Sequence, residues 1–161
     1  MKAIDVEIAV VNMFGARRNL IVPNVSWGFS GLYYEADMIV VTKAGYAKEI
    51  EIKVSKYDLI KDKGKRHNHN CKKFNELYFA IPEALLIHSE HIPERAGIIK
   101  VYFPDGGDKA YAEIVRPAKP NGADKLELRD KYELARLGAI RIWNLKNTIQ
   151  ELNHKSKEKT K

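Results

Sequence analysis

One cysteine, Cys71, stands in 161 residues, so no disulfide can form within the chain. Five histidines with a single thiol do not make up a zinc-finger pattern. No apolar run approaches the ~18 residues that a membrane-spanning helix needs. The start, Met1-Lys2-Ala3-Ile4-Asp5, turns acidic before any long apolar stretch. Neither a signal peptide nor a membrane anchor is expected, and a reducing cytoplasm is the expected setting. No internal repeat is present. What the chain does have is 45% hydrophobic and 30% charged residues, enough apolar material for one core without disulfides or metal staples. A single domain over residues 1–152 is expected, followed by a basic, disordered tail over 153–161.

The net charge is +7 and the pI is near 9.4, and its placement says more than its size. Between residues 56 and 73, Lys56, Lys61, Lys63, Lys65, Arg66, Lys72 and Lys73 face only Asp58 and Asp62. Four lysines against Glu158 close the chain from Lys155 to Lys161, and the remainder is close to neutral. A localised basic strip is the footprint of a phosphate-backbone binder. A solvated helix face with a frayed tail gives the same charge pattern, so charge alone does not decide.

Helical spacing of apolar residues predicts a first helix over 3–14, stopped by Gly15. At 100° per residue Glu7 falls among Ala3, Val10, Val11 and Phe14. A carboxylate there needs a metal, a basic partner or a rim position, because an unpaired buried carboxylate is costly. A strand over 19–22, a Gly- and Ser-bearing loop over 23–31, and a strand ending in Met38-Ile39-Val40-Val41 follow. The last is apolar on both faces, as a central, doubly covered strand is. A tight hairpin over 42–46 returns the chain antiparallel through Ala47–Val54. Beyond it the pattern predicts a helix over 57–65, a buried strand over 75–81, a short helix over 83–88 and a strand over 98–103. An edge strand over 109–115 and a long helix over 127–152, with Leu128, Leu134, Leu137, Ile140, Ile142, Leu145, Ile149 and Leu152 as its apolar positions, complete the order. The fold class is α/β, a central mixed sheet flanked by helices with a long C-terminal helix.

Residues two apart on a strand share a face, so Glu51 and Lys53 project together. Asp37 and Glu51 each lie about seven residues from the turn at Ala44-Gly45, which sets them opposite or nearly so. Two carboxylates converging beside an ammonium repel one another without a cation, and carboxylate oxygens suit Mg²⁺ or Mn²⁺. Such a metal can activate water and stabilise charge on a phosphate, with Lys53 as a compact point charge. Glu35 and Glu49 share the faces of Asp37 and Glu51; either can be a ligand, and surface solvation is the commoner role.

Asp37, thirteen residues, then Glu51-Ile52-Lys53 resembles the D-x(n)-(D/E)-x-K signature of the PD-(D/E)XK, or restriction-endonuclease-like, nucleases. The order of elements from Ala3 to Ile81 is similar to that superfamily's αβββαβ core. Lys53–Asp62 followed by Lys65-Arg66-His67 is similar to the segment after the motif in small bacterial and phage-borne members. The resemblance covers roughly residues 1–103 and departs from the pattern at Ala36, which replaces the proline of the Pro-Asp dipeptide, a dipeptide that many members also lack. It implies a Mg²⁺- or Mn²⁺-dependent DNA endonuclease of repair, recombination or a mobile element, without an organic cofactor or membrane. Catalytic roles are implied for Asp37, Glu51, Lys53 and Glu7. The metal ligands implied are Asp37, Glu51, the Ile52 carbonyl and Glu7, the last as an accessory helix-one carboxylate. A homodimer is admitted, since dimers are common where two strands are cut.

Tyr57, Lys63, Lys65, Arg66, His67, His69, Lys72 and Lys73 are the expected DNA contacts. His67-x-His69-x-Cys71 also suggests zinc, but without a clear fourth ligand. Trp27 and Phe29 are either DNA-stacking residues or, more commonly, loop anchors. Three functional readings stand: the metal-dependent nuclease, a non-catalytic nucleic-acid-binding module on the same fold, and a structural protein in which Glu51 and Lys53 merely pair.

Overall fold

The computed structural model describes residues 1–26, 29, 32–62, 71–105 and 107–158. One six-stranded mixed sheet runs in chain order: β1 (Leu20–Val25), β2 (Ala36–Val41), β3 (Ala47–Ile52), β4 (Phe74–Pro82), β5 (Gly97–Tyr102) and β6 (Tyr111–Arg116). Strands β1, β2 and β3 pair antiparallel, β3–β4 and β4–β5 parallel, and β6 antiparallel on β5. The helices are α1 (Ala3–Phe14), α2 (Lys56–Asp62) and α3 (Leu128–Glu158), with a 3₁₀ segment over Glu83–His91. Parallel pairs need crossovers; α2 lies in the first and the 3₁₀ segment in the second.

The hairpin that sets the register is local chemistry. The Thr42 amide donates to the Tyr46 carbonyl at 2.9 Å and the Gly45 amide to Thr42 at 2.8 Å. Gly45 has φ +95, a conformation that only glycine adopts without strain. Met38 thereby faces Ile50, and Val41 faces Ala47. Helix α1 is held at its start by the Lys2 amide donating to Asp5 Oδ2 at 2.7 Å. It ends at Gly15, φ +76, whose amide donates to Val11.

Each sheet face has its own cover. On one, Val6, Ala9 and Val10 of α1 pack on Met38, Val40, Ile50, Tyr78, Ala80 and Ile99. On the other, Leu134 of α3 joins Val22, Ile39 and Phe74, while Leu59 of α2 and Ile92 cover Leu77, Phe79 and Ile81. Both faces of β2, β3 and β4 are therefore buried.

Several expectations change. Residues 23–25 belong to β1 rather than to a loop: Pro23 stands opposite Met38 and Val25 opposite Ala36, and proline is tolerated because β1 is an edge strand. Helix α3 continues to Glu158 rather than yielding to a disordered tail at 153; residues 159–161 lie outside the described residues, as do 63–65 of the expected second helix. Of α3's apolar positions, Leu134 is buried and Leu137 half-buried, whereas Leu128, Ile140, Ile142, Leu145, Ile149 and Leu152 are exposed. Among the described residues no helix is long and apolar enough to cross a membrane.

Gly97 stands beside Tyr78 in the β4–β5 pair. A Cβ built there would lie 2.3 Å from Tyr78 Cε1 and 2.8 Å from the Ala118 backbone nitrogen. Gly97→Ala is expected to lower stability by about 1–3 kcal/mol through overpacking, read as a lower urea midpoint.

Candidate active site

Extending the β2–β3 register by one residue sets Asp37 across from Glu51. Glu51 pairs with Phe79 on β4 and shares its face, the face on which α2 and the 3₁₀ segment cover β4, and is only 1% exposed. Lys53, two residues on, projects the same way. Its Nζ lies 2.5 Å from Glu51 Oε2 and 3.6 Å from Asp37 Oδ2. The same Asp37 oxygen accepts a hydrogen bond from the Ile52 amide at 2.8 Å. In an extended residue N–H and C=O point to the same side, so the Ile52 carbonyl also faces β2. The three expected side chains thus meet, graded from buried Glu51 to half-open Asp37, whose side chain is 36% exposed.

Charge in this setting must be compensated, since taking a carboxylate out of water costs several kcal/mol. Lys53 does this for Glu51. A second buried acid, Glu49, sits two residues back on β3, fully sealed. Its Oε2 accepts a hydrogen bond from the Tyr34 hydroxyl at 2.9 Å. The expectation of a solvated Glu49 is therefore corrected; Glu35 alone is exposed. The signal for Glu49 was available: β4, its parallel neighbour, is apolar on both faces, so the whole face around it is covered. Burial, then the charge and hydrogen bond of Glu49, push the Tyr34 hydroxyl far above its usual range.

Glu7 lies at the border of α1 rather than in the middle of its apolar face. The buried row is Val6, Ala9 and Val10, and Ala3 is exposed. Its carboxyl is raised above the usual range, mainly by desolvation and then by the charge of Asp37. A cleft of ≈ 320 Å³ runs past it, walled by Ile8, Val11, Ile21, Pro23 and Met38. Helix α1 covers the sheet face opposite Glu51, so Glu7 and Glu51 are not gathered into one ligand set. Among the described residues no group of three or more His, Cys, Asp or Glu is close enough to hold a metal ion. The donor chemistry that is present, two carboxylates with a carbonyl turned to the same side, suits a hard divalent cation; in this arrangement the Lys53 ammonium supplies the positive charge beside them.

The expected DNA contacts divide. Tyr57 on α2 and Lys72 are exposed. Lys73 is engaged with the chain itself, paired with Asp130 of α3 and set 5.3 Å above the Phe29 ring. Phe29 is buried and stacked on Phe74 at 5.9 Å, the loop-anchor role rather than the DNA-stacking one. Trp27, Lys63, Lys65, Arg66, His67 and His69 lie outside the described residues. Cys71 is buried, and burial chiefly raises its thiol pKa, which disfavours the thiolate that zinc requires.

No protein-family model matches this chain, and no curated protein does. Among solved structures, a protein of unknown function from Silicibacter pomeroyi, SPO1766, is similar over 95% of this chain and 94% of its own. It has a TM-score of 0.65 and 18% identity, a likeness of fold.

The raised Glu7 pKa has a stability consequence. An acid whose pKa is higher folded than unfolded favours folding in its protonated form and opposes it once ionised. Glu7→Gln is expected to have a higher Tm than the parent at pH 8. The gain should close as the pH falls toward 4.5, the carboxyl's ordinary value, in thermal melts across that range.

Proposed function

We propose that this chain is a metal-dependent DNA endonuclease with a restriction-endonuclease-like, PD-(D/E)XK-type core. The observation that carries this reading is the meeting of Asp37, Glu51 and Lys53 at the β2–β3 ribbon, with the lysine ammonium 2.5 Å and 3.6 Å from the two acids. The succession α1, β1, β2, β3, α2, β4 supports it, because it follows the αβββαβ order.

Asp37, Glu51 and the Ile52 carbonyl would hold Mg²⁺ or Mn²⁺, whereas Glu7, across the sheet from Glu51, would act on the site through the charge of Asp37 rather than as a ligand. When bound, such an ion supplies Lewis acidity and water of lowered pKa. The chain's own residues do the rest. The Ile52 amide holds Asp37 in place from the backbone, and α2 and the 3₁₀ segment keep bulk water from Glu51. Lys53 presents a fixed positive charge to a phosphate oxygen, where charge grows during displacement. Glu7, whose carboxyl retains a proton to higher pH than usual, sits where a proton can be held near Asp37. Tyr57, Lys72 and the basic residues Lys63, Lys65, Arg66, His67 and His69 would track the DNA backbone, whereas Lys73 contributes only if Asp130 releases it.

One observation favours a second reading. Lys53 lies against both acids and already offsets one of their two charges, as in a non-catalytic nucleic-acid-binding module on the same fold. Incubation with plasmid, linear duplex, single-stranded and flapped DNA separates the two. Nuclease function predicts Mg²⁺- or Mn²⁺-dependent cleavage, abolished by chelator and reduced at least ~100-fold in Asp37→Ala, Glu51→Ala and Lys53→Ala; Asp37→Ala, at the open end of the site, is the variant expected to keep circular dichroism and DNA affinity. DNA binding without cleavage of any of these substrates, and indifferent to metal, leaves the binding module.

A further inference from the structure

Helix α3 carries two apolar rows. One, centred on Leu134 and Gly138, rests on β1. The other begins at Leu128 and Tyr132 and passes through Ala135 and Ala139 to Ile142. It ends with Leu145, Ile149 and Leu152, and all of these residues are exposed, the large ones by between 48% and 83%. Every residue from 142 to 155 is exposed, so the distal half of α3 leaves the body of the protein. An isolated helix of that length is marginal in water.

Three features say what covers this row. Its steps are of three or four residues, with two threes in succession from Ala139 to Leu145, and average under 3.5, so it winds slowly around a helix that has 3.6 residues per turn. A flat bilayer touches a straight line along a helix, whereas a coiling partner helix follows a winding one. The row is about 36 Å long, at 1.5 Å per residue, and its middle is small, Ala135 and Ala139, which lets another backbone come close. Its borders are basic: Arg136 and Lys146 on one side, Lys131 and Lys155 on the other, with Glu151 further round at 100° per residue; Arg129, at the start of the row, is paired with Glu133 at 3.3 Å. A second copy of this chain would set these cations against their own images, which is destabilising at coiled-coil borders.

We infer that the outer row of α3 docks an amphipathic helix of another protein whose border residues are acidic. The inference stands apart from the nuclease reading, since it uses none of the same residues and its test reads no cleavage.

The test uses the full chain and two synthetic helical peptides. Both have four heptads with Ile and Leu in the seam, one flanked by Glu and its twin by Lys. The Glu-flanked peptide is expected to bind with micromolar Kd by fluorescence anisotropy, weakening with salt, and the twin at least tenfold more weakly. Ile142→Glu combined with Leu145→Glu should remove binding. Arg136→Glu with Lys146→Glu should invert the preference, a readout that loss of folding cannot give. These substitutions lie at exposed positions, and circular dichroism checks the fold. The inference is overturned by equal affinity for both peptides, by binding to neither, by association instead with phosphatidylserine vesicles, or by a sedimentation mass of twice 18.4 kDa that the Ile142/Leu145 variant loses.

Discussion

Two carboxylates enclosed side by side on one strand are the constraint around which the rest of this protein is arranged. Glu49 and Glu51 share the face of β3 that also holds Leu77 and Phe79 from β4. Carboxylates there are tolerable only with donors brought to them, and the chain supplies these from different directions. Lys53 comes from the next residue on the same face of the same strand, and the Tyr34 hydroxyl from just before β2. Each donor then fixes something else. Tyr34 places the entry to β2, and with it Asp37. Lys53 joins Glu51 to Asp37, so the ribbon's mouth and its interior form one electrostatic unit.

The arrangement is directional. Glu51 is shut in, Lys53 nearly so, and Asp37 opens to solvent. An anion or a metal approaching from outside meets Asp37 first, with the Ile52 amide already holding one of its oxygens. On the opposite side of the sheet, α1 brings Glu7 close enough to sense Asp37 while leaving it on the far side from Glu51. Asp37 is thus the point shared by the two faces, reached from α1 at one side and from β3 at the other.

Much of this could be read from residue order alone. The hairpin turn, its glycine and the equal distances of Asp37 and Glu51 from it are local features, so their opposition followed without tertiary information. The limits of α1 were equally local, set by spacing and Gly15. What escaped depended on distant chain segments. Glu49 resembles any acid on an alternating strand until β3 is known to pair with the doubly apolar β4 and Tyr34 is brought to it. Periodicity sets Glu7 among the apolar residues of α1 and leaves its rim position open, because it cannot tell where a sheet ends beneath a helix. The row Leu128 to Leu152 reads as core, and only the position of β1 shows that the sheet stops before the helix does. Lys73, one of several cations in a basic run, is singled out by Asp130, 57 residues away.

The β1 margin of the sheet has a bearing on how this protein behaves when crowded. Pro23 has no amide hydrogen, Asn24 takes φ +50, and the Asn24 carbonyl is occupied by Arg141 of α3, whose Nη2 donates to it at 2.6 Å. A foreign strand laid along this border would find no regular ladder to continue. Growth by strand addition is blocked there, leaving that border inert toward the cross-β stacking by which exposed sheets polymerise.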